Sequence, residues 1–76
     1  MLYEITEYES VTGRVHHLKG YYYDPDKIRL YKIIEDKLYE IPRRGSTFNV
    51  VNEKGHACAL TWMKLDHIVL RNRCLI

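Results

Sequence analysis

The chain has 76 residues, of which 46% are hydrophobic and 29% charged, and its net charge is +2. That length allows one domain at most, spanning 1–76, and the composition argues against disorder. The small net charge argues against a dedicated duplex-binding face, and no apolar run approaches the roughly 20 residues of a membrane-spanning helix.

Charge is polarised along the chain. Glu4, Glu7 and Glu9 precede the first basic residue, Arg14, and bases recur as far as Lys64, Arg71 and Arg73. An acidic start lacks the basic-then-apolar pattern of a secretory signal, so a cytoplasmic setting is expected. Two cysteines, Cys58 and Cys74, are too few for a disulfide scaffold. Cys58 is expected to act as a small buried hydrophobe and Cys74 as a free thiol near the chain end.

Leu2–Tyr8 is predicted as a first strand. Val11–Tyr23 is a longer extended segment containing Gly13 and Gly20. Its alternation slips by one residue at His16-His17, so a bulge is predicted there. Asp24-Pro25-Asp26-Lys27 suits two structures. As a type I turn it leads into a hairpin. As an N-cap with proline at the first helical position it starts a helix over about 25–38, which gives an α+β alternative. The hairpin is preferred because the helix leaves Ile28 and Ile33 off its apolar stripe. It pairs Ile28–Ile34 with Leu38–Ile41 around Glu35-Asp36-Lys37. Tyr31 is then opposite Ile41, Ile33 opposite Tyr39, and Lys32 opposite Glu40.

Pro42–Ser46 is expected to be a loop carrying Arg43 and Arg44. Thr47–Trp62 is the clearest hairpin, two apolar runs around Asn52-Glu53-Lys54-Gly55. Glycine suits the left-handed position that closes a type I turn with a bulge, which sets Val50 opposite Cys58 and Phe48 opposite Leu60 on the core face. Met63–Asp66 is a short connection, His67–Arg71 a last strand, and 72–76 a C-terminal tail. The strand spacing predicts an all-β fold, a five- to six-stranded antiparallel barrel or sandwich of SH3-like or OB-like kind.

No nucleophile elbow, phosphate-binding loop or paired metal-ligand spacing is present, so no enzyme activity, cofactor or metal site is expected. The unusual feature is Tyr21-Tyr22-Tyr23. Successive strand residues point to opposite faces, so one face of this run is expected in the core and the other on display. Tyrosine and arginine suit interfaces, and Tyr21, Tyr22, Tyr23, Arg43, Arg44 and Trp62 are the candidate partner contacts. The expectation is a small non-enzymatic interaction module that binds and modulates a larger intracellular protein, as an inhibitor or adaptor in the style of phage-type accessory factors. Homodimerisation through open strand edges is compatible with it. The alternative is single-stranded RNA or DNA binding, with rings stacking on bases and Arg14, Lys19, Arg43 and Arg44 at phosphates.

Overall fold

A computed structural model of the protein describes the backbone of residues 1–74 and the side chains of residues 1–71. Seven strands precede one helix: β1 (Tyr3–Glu9), β2 (Val15–Asp24), β3 (Arg29–Ile34), β4 (Lys37–Ile41), β5 (Arg43–Arg44), β6 (Thr47–Val51), β7 (Ala57–Thr61) and α1 (Trp62–Cys74). The strands form an antiparallel meander β1-β2-β3-β4 and a second sheet β5-β6-β7. The chain is thus mostly β rather than all-β, with seven strands in two sheets and a C-terminal helix where five or six strands of a barrel or sandwich are predicted; among the described residues no closed barrel forms. The segment predicted as loop 42–46 contains β5, where Arg43 pairs with Phe48 and Arg44 with Thr47.

The β6–β7 hairpin has the expected register, with Phe48 opposite Leu60 and Val50 opposite Cys58. Its turn closes through Asn52 N–H to His56 O (3.0 Å) and Gly55 N–H to Asn52 O (2.9 Å), with Gly55 at φ 81°. The same turn recurs between β1 and β2. Ser10 N–H donates to Arg14 O (2.8 Å) and Gly13 N–H to Ser10 O (3.0 Å). Residues 11–14 are therefore a hairpin turn, not the start of one long strand. The 52–56 turn also docks on the first sheet, its Glu53 N–H donating to His17 O at 3.1 Å.

The bulge exists but lies later than predicted. Ile5 pairs with Tyr21 and Glu7 with His17, so Leu18-Lys19-Gly20 together oppose Thr6 alone, and the two extra residues lie there rather than at His16-His17. Gly20 has φ 78°, and the Lys32 ammonium caps the free Lys19 carbonyl at 2.8 Å. This kink lets Leu18, Tyr21 and Tyr23 all enter the core despite their mixed spacing.

The 25–38 helix does not form. Asp24 Oδ1 instead accepts the N–H groups of Asp26 (3.0 Å) and Lys27 (3.4 Å), an Asx turn that links β2 to β3. The β3–β4 hairpin forms with its register one residue away from expectation. Leu30 opposes Ile41, Tyr31 opposes Glu40 and Ile33 opposes Leu38. The turn has two residues, not three, with Glu35 at φ 51° and Asp36 at φ 66°. That is the type I′ geometry whose twist matches the flanking strands. One residue of slip exchanges the faces, so Leu30 is buried while Ile33 and Leu38 are exposed.

The predicted last strand, His67–Arg71, is helical, and the expected short connection 63–66 belongs to the first turns of the same helix α1. Asn72–Cys74 of the predicted tail continue it; Leu75 and Ile76 lie outside the described residues. Thr61 caps the start, its Oγ1 accepting Lys64 N–H at 3.2 Å, while Trp62 N–H donates to Ser46 O at 3.0 Å. Leu65 and Val69, one turn apart, are buried, with Trp62 and Ile68 packed beside them.

One core joins the layers. The meander supplies Ile5, Tyr8, Leu18, Tyr21, Tyr23 and Leu30, the second sheet Phe48, Val50 and Leu60, and α1 Leu65 and Val69. Three tyrosines of the meander reach across it with their hydroxyls. Tyr21 Oη accepts the Val51 N–H of β6 at 2.9 Å, Tyr23 Oη donates to Asp66 Oδ1 of α1 at 2.9 Å, and the Tyr8 phenol lies beside the Cys58 thiol of β7. A buried phenol needs such a partner, and here each partner sits on a different element.

Candidate functional site

Among the described residues, strand β1 pairs only with β2, so its other edge is open. Which groups it offers follows from the turn. Ser10 and Arg14 form a hydrogen-bonded pair; bonded and non-bonded pairs alternate along an antiparallel ladder. Tyr8–His16 is therefore bonded, while the backbone groups of Glu7 and Glu9 point away from β2. The other side of β2 agrees, because the His17 carbonyl, opposite Glu7, points outward to accept Glu53 N–H.

Helix α1 lies along this open edge. Between them runs a groove of about 500 Å³, lined by Thr6, Glu7, Tyr8, Glu9 and Val15 on the sheet side and Lys64, His67, Ile68 and Arg71 on the helix side. Residues 6–9 are consecutive, so their side chains leave alternate faces. A groove bordered by all four, and by Val15 opposite Glu9, takes in the strand's open edge together with the face that Glu7, Glu9 and Val15 share. On α1 the spacing 64, 67, 68, 71 is one helical face. The acidic start of the chain and its basic end are thereby folded opposite each other.

The floor is fixed and the rims are charged. The Tyr8 ring is buried and stacks on His16 at 5.1 Å between centroids. Burial, and then the Cys58 thiol beside it, push the Tyr8 phenol well above its usual range, so it stays a neutral donor. Glu7 approaches His17 at 3.7 Å. Among the described residues, no ion pair spans the groove, so Glu9, Lys64 and Arg71 keep their charges available. A second, shallower cavity on the far side of α1 is lined by Pro25, Asp66, His67, Val69 and Leu70.

The residues singled out from the sequence lie elsewhere. Tyr21 and Tyr23 are 3% and 0% exposed and spend their hydroxyls inside the core; they are not available to a partner. Burial, reinforced by Asp66 and Asp24 against the opposing Arg43 charge, pushes the Tyr23 phenol upward. Tyr22 is the residue displayed, half-buried on the outer face between Glu4 and Tyr31. Arg43 and Arg44 are exposed on β5, and Trp62 is a half-buried anchor at the core's rim. Arg14 and Lys19 are exposed in the β1–β2 turn and the β2 bulge. The groove residues were missed because nothing local marks them. The available signal was the spacing of Lys64, His67, Ile68 and Arg71, hidden by the strand assignment of 67–71.

Among the described residues, no three His, Cys, Asp or Glu side chains are grouped to hold a metal ion. Cys58 carries a free thiol. Comparison with protein-family models, curated proteins and solved structures gives no significant match.

Proposed function

We propose that the protein is a small non-enzymatic interaction module that modulates a larger protein by taking up an extended segment of it as an added strand on β1, beneath α1. The supporting observation is the groove bordered by four consecutive residues of an open strand edge and one face of a helix. Strand addition uses the free backbone groups of Glu7 and Glu9 for affinity and the neighbouring side chains for selectivity. The open two-sheet sandwich, SH3-like or OB-like in scale, serves as the scaffold that holds edge and helix apart. Charges of both signs on the walls favour a segment whose side chains alternate in charge, acidic toward Lys64 and Arg71 and basic toward Glu9. Binding there would inhibit or adapt the partner by sequestering that segment. A cytoplasmic setting belongs to the same proposal and is consistent with the free Cys58 thiol.

The test is affinity capture from source cells. One stoichiometric protein partner is expected, with capture weakened about tenfold or more by the double change Lys64→Glu/Arg71→Glu. Glu9→Pro should also weaken it, since it removes an outward N–H that β2 does not use. Loss of capture with Tyr22→Ala or Arg43→Ala/Arg44→Ala instead would move the contact to the outer face or β5 and refute the groove. The single-stranded nucleic-acid alternative is weaker, since two of its three stacking rings are in the core. Oligonucleotide binding at low salt that falls steeply as salt rises would revive it.

A further inference from the structure

The opposite edge of the meander presents a different surface. Among the described residues, strand β4 pairs only with β3, and its hairpin is the most apolar exposed part of the sheet. Ile33, Ile34, Leu38 and Tyr39 are 38%, 50%, 49% and 49% exposed. The two-residue turn makes Ile34–Lys37 a hydrogen-bonded pair, and with it Lys32–Tyr39 and Leu30–Ile41. The outward backbone groups are then those of Leu38 and Glu40. Pro42 has no N–H, so the ladder cannot continue past Ile41, and the Glu35-Asp36 turn ends it on the other side.

We infer that this edge pairs with a second copy of the same chain, antiparallel about a two-fold axis beside Tyr39. Keeping each sheet face continuous across such a junction requires one residue to oppose its own copy, which leaves Leu38, Tyr39 or Glu40 as the centre. Centring on Glu40 sets two carboxylates opposite each other. Centring on Leu38 sets Asp36 opposite Glu40. Centring on Tyr39 sets Leu38 opposite Glu40 and Lys37 opposite Ile41, so no like charges face. It also joins every outward N–H and C=O of Leu38 and Glu40 in four hydrogen bonds. The Glu40 carboxylate has Arg29 nearby, at 4.0 Å on its own sheet face. Leu38 extends the outer apolar face and the Tyr39 rings meet on the other. A foreign strand has no such match in length, because the usable edge is only two outward residues long. The interface is small, below the roughly 1,200 Å² of standard stable complexes, so the dimer is weak and concentration-dependent. It is independent of the β1 groove, which stays open in both copies.

The test combines sedimentation with charge and cross-linking variants of the full chain. The apparent mass should rise from monomer near ~10 µM toward dimer near ~1 mM, the range of small transient contacts. Leu38→Glu, which sets a second carboxylate opposite each Glu40, should abolish the rise. Leu38→Lys should preserve or strengthen it, whereas association by mere stickiness would be lost in both. In a Cys58→Ala/Cys74→Ser background, Tyr39→Cys should form an intermolecular disulfide at least about tenfold faster than Lys37→Cys. The Tyr39 pair is non-hydrogen-bonded, with its Cα atoms about 4.5 Å apart. A monomer throughout the range, equal loss with both Leu38 variants, or equal cross-linking at 37 and 39 each overturns the inference.

Discussion

Replacing Tyr23 by phenylalanine removes one oxygen and leaves the buried ring in place, so the loss measures the tie between the meander and α1. That hydroxyl donates to Asp66 at 2.9 Å, from a residue with 0% exposure. A hydrogen bond to a charged acceptor contributes about 1.5–3 kcal/mol. Asp66 is half-exposed and regains water when its partner is removed, which lowers the expected cost to about 1–2 kcal/mol. Asp66→Ala is the harsher change in kind, because it strands a buried O–H, at about 1–3 kcal/mol. In the double variant both groups are gone, so the two losses do not add, and the coupling should be about 1 kcal/mol. Urea denaturation followed by circular dichroism gives all four corners, and each kcal/mol should lower Tm by about 4–8 °C in a domain of this size. A coupling below about 0.3 kcal/mol, the level of independent sites, would mean that α1 does not lie over Tyr23.

Three further outcomes follow from the same structure. Phe48→Ala empties a site with 1% exposure at the meeting of both sheets; it should cost about 3–5 kcal/mol, enough to unfold a large fraction of a chain whose total stability is about 4–11 kcal/mol, as thermal melts would register. Glu35→Asn with Asp36→Gly gives the β3–β4 turn the residues its positive φ angles favour and should stabilise the protein by about 1 kcal/mol in the same urea assay; a destabilised variant would refute the two-residue turn. Tyr8 and Tyr23 have phenols raised above the ordinary value of 10.0, so the folded state holds their protons more tightly than the unfolded chain does. Their contribution is fully present below pH 10 and is lost as pH climbs through the folded values, so stability measured by urea titration should fall above about pH 10. Replacing both residues with phenylalanine should flatten that fall.

Where a turn pinned the pattern, the sequence was legible to the single residue. Gly55 and the strict alternation from Thr47 to Thr61 sufficed for the β6–β7 register. Glu35-Asp36 carries none of the glycine or asparagine that announces a type I′ turn, so the sequence suggests a three-residue loop, which exchanges the faces of β3 and β4. The bulge was felt as a slip in phase, but Gly20, not the histidines, marks its position. Ile68-Val69 has the β-branched look of a strand, while the helix is declared by Thr61 as cap and by Trp62, Leu65 and Val69 at helical spacing. The tyrosine run drew attention as a platform, yet its two buried members are tied to groups about 30 and 43 positions away along the chain. The groove was invisible for the same reason. It forms only when Glu7 and Glu9 meet Lys64 and Arg71, and no local signal encodes that meeting.

The most direct test of the open β1 edge is amide hydrogen exchange resolved by residue, first in the free protein and then with the captured partner. In the free protein the Glu7 and Glu9 amides should exchange fast while Tyr8, bonded to His16, is protected. On binding, Glu7 and Glu9 should become protected and Tyr8 should change little. Glu7 and Glu9 protected from the outset, or left unprotected in the complex, would contradict strand addition at this groove.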